Sequence, residues 1–178
     1  ELVRIGYSGP TPCPAATAPH AYVELHIEQG PVLEDEGFTI GAVSGVQGIS
    51  WTELTIDGQS AHAGTTPMRL RHDAGYVAAA ITAGVRAIAC EMGGTQVATV
   101  GRCEFQPNLV NVIAAKATMT IDLRNTDEDL LQAAEASLHK LCDQLASDEG
   151  VTIERRTLAR FEPVMFNEAM IGLVERTA

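Results

Sequence analysis

His26 and Glu28 are the first residues along the chain whose types and spacing suit chemistry. In Tyr22-Val-Glu-Leu-His-Ile-Glu-Gln-Gly30, Val23, Leu25 and Ile27 alternate with Glu24, His26 and Glu28, a period of two. A strand would therefore point His26 and Glu28 to one side, with Gln29 and Gly30 at the turn. An imidazole at a strand end, beside an acid and an amide, can ligate a metal or move a proton; it can equally be a hydrogen-bonded structural group. His62 is the second candidate. It follows a strand pattern in Gly58-Gln-Ser-Ala-His-Ala-Gly64, where small neighbours let the ring approach another surface. A surface loop histidine would have the same setting. Cys13, Cys90, Cys103 and Cys142 form no C-x-x-C pair and no zinc-ribbon spacing, which points to reduced thiols and a cytoplasmic protein.

Three blocks, in order, carry a family resemblance. His26-Ile-Glu-Gln-Gly-Pro-Val-Leu-Glu34 resembles a signature of the hydantoinase/carbamoylase-type amidases, which are di-metal amidohydrolases related to aminoacylases and carboxypeptidases. Gly58-Gln-Ser-Ala-His-Ala-Gly-Thr-Thr-Pro-Met68 looks like the lid motif of that family. Pro107-Asn-Leu-Val-Asn-Val-Ile113, followed by Ile121-Asp-Leu-Arg124, is similar to its substrate-carboxylate motif.

The resemblance implies roles for particular residues. His26 would be a ligand of a divalent metal pair (Zn, Mn, Co or Ni), and imidazole softness does not choose among them. Gln29 would contact substrate, and Glu28 would be structural. His62 would reach the partner subunit's active site and steady a tetrahedral oxyanion. Asn111 and Arg124 would bind the substrate carboxylate, with Asn108 the neighbouring candidate; the planar guanidinium suits a bidentate grip. A strand-end salt bridge, for example to Asp127, is the structural alternative for Arg124. His72 and His139 read as helix-surface residues, and nothing supports a role for His20. The family's His-x-Asp motif and Glu-Glu pair are absent, so this chain is expected not to bind the metals itself.

Composition sets the outer bounds. A net charge of −11 argues against nucleic acid and against anionic membrane surfaces. No apolar run is expected to reach the ~20 residues that span a bilayer. Apolar residues make up 46% of the chain but aromatics only 4%, so the core must be built from Ala, Val, Leu and Ile. The chain begins at Glu1 and stops inside the amphipathic stretch Asn167–Glu175, and both ends read as cuts in a longer protein.

The elements that position these residues follow from periodicity. The proline-rich stretch 1–21, with Gly9-Pro-Thr-Pro-Cys-Pro14, reads as loop. Tyr22–Ile27 reads as a strand, Val32–Glu36 as a short helix ended by Gly37, and Thr39–Val46 as a connecting strand. Strands are then expected at 49–57, 96–105, 115–124 and 151–161, and helices at 72–91 and 127–149, with Thr126 as N-cap of the second. Along 115–124, Ala117, Met119, Ile121 and Leu123 take one face and Lys116, Thr118, Thr120, Asp122 and Arg124 the other.

The predicted fold class is α+β: a ferredoxin-like β-α-β-β-α-β lid domain, a four-stranded antiparallel sheet with both helices on one face. Flanking pieces of an α/β catalytic domain complete the chain. The expected boundaries are 1–46 for a segment of the catalytic domain, 47–165 for the lid and dimerisation domain, and 166–178 for the return. The functional expectation is a metal-dependent amidohydrolase that cleaves the carbamoyl C–N bond of N-carbamoyl amino acids or related ureido acids, assembled as a homodimer through the lid. A related aminoacylase or metallopeptidase, and a non-catalytic ferredoxin-like binding module, are the alternatives.

Overall fold

The computed structural model describes residues 1–9 and 18–178, so Cys13 and the rest of 10–17 in the expected proline-rich loop lie outside the described residues. The chain divides into two compact units, Glu1–Gly41 and Ala42–Ala178.

In the first unit the expected strand at Tyr22–Ile27 is not formed. Val23, Leu25 and Ile27 are 65%, 96% and 75% exposed, and the segment joins no ladder among the described residues. Alternation specifies two faces, but a strand also needs a neighbour to pair its backbone groups. Helix α1 (Val32–Glu36) forms where expected, and Gly37 ends it at φ 76°, a left-handed conformation that favours glycine.

The second unit opens with β1 (Gly45–Val46), all that forms of the expected connecting strand. It is followed by β2 (Gly48–Asp57), α2 (Ala74–Met92), β3 (Val97–Gln106), β4 (Lys116–Asn125), α3 (Glu128–Glu149) and β5 (Thr152–Phe161). The four long strands form one antiparallel sheet in the order β3-β4-β2-β5. The sequence order β-α-β-β-α-β and this strand order make the ferredoxin-like arrangement. A two-residue strand not anticipated from sequence, β6 (Val164–Met165), pairs with β1, and α4 (Glu168–Thr177) follows, capped by Asn167.

Both long helices cover one face of the sheet. Leu54 and Ile56 of β2 and Ala117, Met119, Ile121 and Leu123 of β4 meet Val77, Ala78, Ile81 and Val85 of α2 and Leu131, Ala134, Leu138 and Cys142 of α3. The alternation read along β4 is the observed burial pattern. By length and composition α2 is apolar enough to cross a membrane, contrary to the expectation that no run would be; here its buried stripe packs on the sheet. Asp73 caps α2 through Gly75 N–H and Tyr76 N–H. The cap of α3 is Asp127, which accepts from Leu130 N–H, and not Thr126 as expected. The Thr126 hydroxyl instead meets the Thr95 hydroxyl at 2.9 Å, so it is engaged across the sheet end and Asp127 takes the cap.

Candidate functional site

His62 sits in the loop between β2 and α2, and two kinds of bond shape that loop. Backbone pairing fixes its ends: Gly58 N–H donates to Ala115 O at 2.7 Å and Gln59 N–H to His72 O at 2.8 Å. An isolated antiparallel bridge then sets His62 opposite Val112, with Ala63 N–H donating to Asn111 O at 3.0 Å and Ile113 N–H to Ala61 O at 2.9 Å. The loop bearing His62 and the loop bearing Asn111 are thus one hydrogen-bonded platform. Gly58 belongs to it by necessity, since a Cβ there would lie 2.2 Å from His72 O.

The imidazole of His62 is exposed, and its Nδ1 accepts from Gly64 N–H at 3.1 Å. An accepting Nδ1 leaves the proton on Nε2, so the ring presents an N–H donor outward. That is the tautomer an oxyanion would use. Asn111 is exposed beside it, and Leu109 and Val110 project from the same loop. Asn108 also lies exposed in this loop.

Arg124 lies elsewhere. It is the next-to-last residue of β4, opposite Ile49 of β2 and Val97 of β3, on the face of the sheet away from the helices. Its guanidinium donates to Asp122, Nε to Oδ1 at 3.0 Å and Nη2 to Oδ2 at 2.8 Å, and lies 5.9 Å from the Trp51 ring centroid. The ion-pair partner is Asp122, two residues back along the strand, in place of the suggested Asp127. This bond is the main cause that raises the Arg124 pKa. Its backbone is held too: Gln96 Nε2 donates to Arg124 O at 3.1 Å, and Asn125, 1% exposed, donates to Gln96 Oε1 at 2.9 Å. Sequence reading passed over Gln96 and Asn125, because a buried amide pair has no periodic signature.

Lys116, at the platform end of β4, is eight steps from Arg124, about 27 Å at roughly 3.4 Å per residue. The structure therefore joins Asn111 to His62 and separates both from Arg124.

In the first unit, His26 is exposed and its Nδ1 contacts Ile27 O. Gln29 is exposed at φ 57°, an uncommon left-handed backbone for a residue with a side chain. Glu28 caps α1: its carboxylate accepts from Val32 N–H at 2.9 Å and from Leu33 N–H at 3.2 Å. Among the described residues no group of three or more His, Cys, Asp or Glu side chains could hold a metal ion. One imidazole does not fit a two-metal centre.

The remaining histidines divide. His139 is exposed on α3, as expected. His72 is not on the surface of a helix. It precedes α2, and its Nδ1 lies 2.9 Å from Glu149 O, tying the start of α2 to the end of α3. His20 is exposed. Cys142 is buried in the core, which raises its thiol pKa.

Residues 44–149 match the family described as the peptidase dimerisation domain. The N-carbamoyl-L-amino-acid amidohydrolase of Rhizobium meliloti is 38% identical over 182 residues, covering 100% of this chain and 42% of that protein. The allantoate amidohydrolase of Escherichia coli (strain K12) is 41% identical over 156 residues, covering 85% of this chain and 37% of that protein. Among solved structures, an amidase of the hydantoinase/carbamoylase family from Burkholderia vietnamiensis superposes with a TM-score of 0.91 at 39% identity, over 99% of this chain and 43% of that one. The chain spans about two fifths of the length of these relatives. Sheet order, platform and sequence similarity converge: the chain belongs to the peptidase dimerisation domain family, in the form carried by hydantoinase/carbamoylase-type amidases.

Proposed function

We propose that this chain is the lid and dimerisation portion, about residues 47–165, with flanking segments of a cytoplasmic amidohydrolase that cleaves the carbamoyl C–N bond of an N-carbamoyl amino acid or related ureido acid. The products would be the amino acid, carbon dioxide and ammonia. The observation that carries this reading is the platform formed by the backbone-paired His62 and Asn111 loops, which exposes an Nε2–H donor in a chain similar in sequence to carbamoyl amidohydrolases. The metal pair that the resemblance implies finds no ligand set among the described residues, so the chemistry assigned to this chain is binding and charge stabilisation.

His62 donates from Nε2 to the oxygen that becomes negative when the carbamoyl carbon turns tetrahedral. Asn111 and Arg124 hold the carboxylate, Arg124 through the fork it now offers to Asp122. An amino-acid-sized substrate cannot bridge the length of the sheet between His62 and Arg124 of one chain. The geometry therefore favours a two-fold dimer in which His62 and Asn111 serve the site of the partner subunit.

The test is the full-length enzyme, assayed for ammonia from N-carbamoyl amino acids, allantoate and N-acyl amino acids, with and without a chelator. Chelator-sensitive release from a carbamoyl or ureido acid is expected, and none from this chain alone. Cleavage confined to N-acyl substrates or peptides would replace this reading with the aminoacylase or peptidase one. No turnover of any of them would favour a binding module.

A further inference from the structure

We infer that Arg71 is a positioning residue that closes the His62 turn and so sets which ring nitrogen carries the proton. Its guanidinium donates to two backbone carbonyls of that turn, Nη2 to Ala63 O at 2.7 Å and Nε to Thr66 O at 3.0 Å. Among the described residues Arg71 takes part in no ion pair, so its bonding is directed at the turn and not at an acid. The turn holds two further bonds, Thr66 N–H to His62 O at 3.1 Å and Gly64 N–H to His62 Nδ1 at 3.1 Å.

The last of these decides the tautomer, and it exists only while the turn stays closed. A planar fork can bridge carbonyls at both ends of a short turn, which a lysine point charge cannot. Gly64 is tight against the ring: a Cβ there would lie 3.3 Å from His62 Cε1. Opening the turn removes the acceptor bond at Nδ1 and lets the neutral ring exchange between its two tautomers, which lowers the fraction that offers Nε2–H and frees the direction in which it points.

This inference rests on the proposed role of His62, but its first test does not. In the ¹⁵N-labelled 178-residue chain, long-range proton–nitrogen spectra should show His62 as a single Nε2–H tautomer at neutral pH. In Arg71→Gln the two ring nitrogens should move toward averaged shifts while backbone amides of the sheet and α2 hold their positions. Arg71→Lys should show partial averaging, and it carries the test if Arg71→Gln does not fold. A folded variant that keeps the single Nε2–H tautomer overturns the inference. In the full-length enzyme Arg71→Gln should lower kcat by up to about 10²-fold with KM little changed. It should add no further loss on a His62→Ala background, and an undiminished loss there also overturns the inference. If His62→Ala alone leaves kcat unchanged, the role of His62 fails, and the tautomer measurement still decides Arg71.

Discussion

Asn111 and Arg124 stand at opposite ends of the same sheet: Asn111 in the platform that precedes β4, Arg124 one residue from the strand's far end. Two groups assigned to one small carboxylate cannot meet on it within a single chain. Their separation is the reason the proposed site is shared between two subunits.

Complementation follows from that separation. In the full-length enzyme, His62→Ala should lower kcat by about 10²–10³ and affect KM less, as for loss of one oxyanion donor. Mixing inactive His62→Ala subunits with inactive Arg124→Ala subunits should restore part of the activity, since a heterodimer then retains one intact composite site. Heterodimers verified by mass that stay inactive would rule out the shared site.

Arg124→Lys should raise KM by roughly 10- to 100-fold, the equivalent of losing a charge-assisted bond of about 1.5–3 kcal/mol. Lysine keeps the charge but not the fork, and it loses the stacking on Trp51. A steady-state comparison of substrates with and without the carboxylate checks the assignment. An unchanged KM ratio would place Arg124 in structure only.

Assembly is read by light scattering of this chain at micromolar concentration, where a dimer mass is expected. Ala79, exposed on α2, is the position to challenge with a charge. Ala78, its neighbour, is 0% exposed within the chain's own core, so a charge there would report on folding instead. Ala79→Glu should shift the mass to monomer with the far-ultraviolet spectrum unchanged, if this helix lies in the contact.

The Arg160 cluster predicts acid sensitivity. Arg160 on β5 donates to Glu128 at 2.5 Å and to Glu135 at 2.9 Å, clamping α3 to the sheet edge. The bond from Arg160, then the one from Gln132, holds the Glu128 carboxyl below its ordinary value of 4.5. A depressed folded pKa means stability that is present above the unfolded value and lost as pH falls through the folded one. Glu128→Gln should therefore cost about 0.5–1 kcal/mol near pH 7, and the difference from wild type should shrink below about pH 4. Denaturant melts at the two pH values measure it.

Gly58→Ala should destabilise the chain by about 1–3 kcal/mol, because the added methyl meets the His72 carbonyl, a backbone atom that cannot rotate away. The melting midpoint gives the number, and the His62 ring signals should move with it.

Much of the second unit was legible in the sequence. The alternation Ala117, Met119, Ile121, Leu123 and the apolar stripe of α2 are local periodicities, and burial on one face turns them directly into a strand and a helix. The blocks around His62 and Arg124 were legible as motifs for the same reason, being contiguous stretches. Other features depend on partners distant in sequence, which no local pattern encodes. Tyr22–Ile27 has a strand's alternation and pairs with nothing among the described residues. Thr126 has a cap's chemistry, but Thr95 engages its hydroxyl and Asp127 takes the position. Only the tertiary structure could join His62 to Asn111, set Arg71 on the turn that follows His62, and place Arg124 a sheet's length away. Each of those relations is a hydrogen bond or a strand register, and both form only after the chain has folded back on itself.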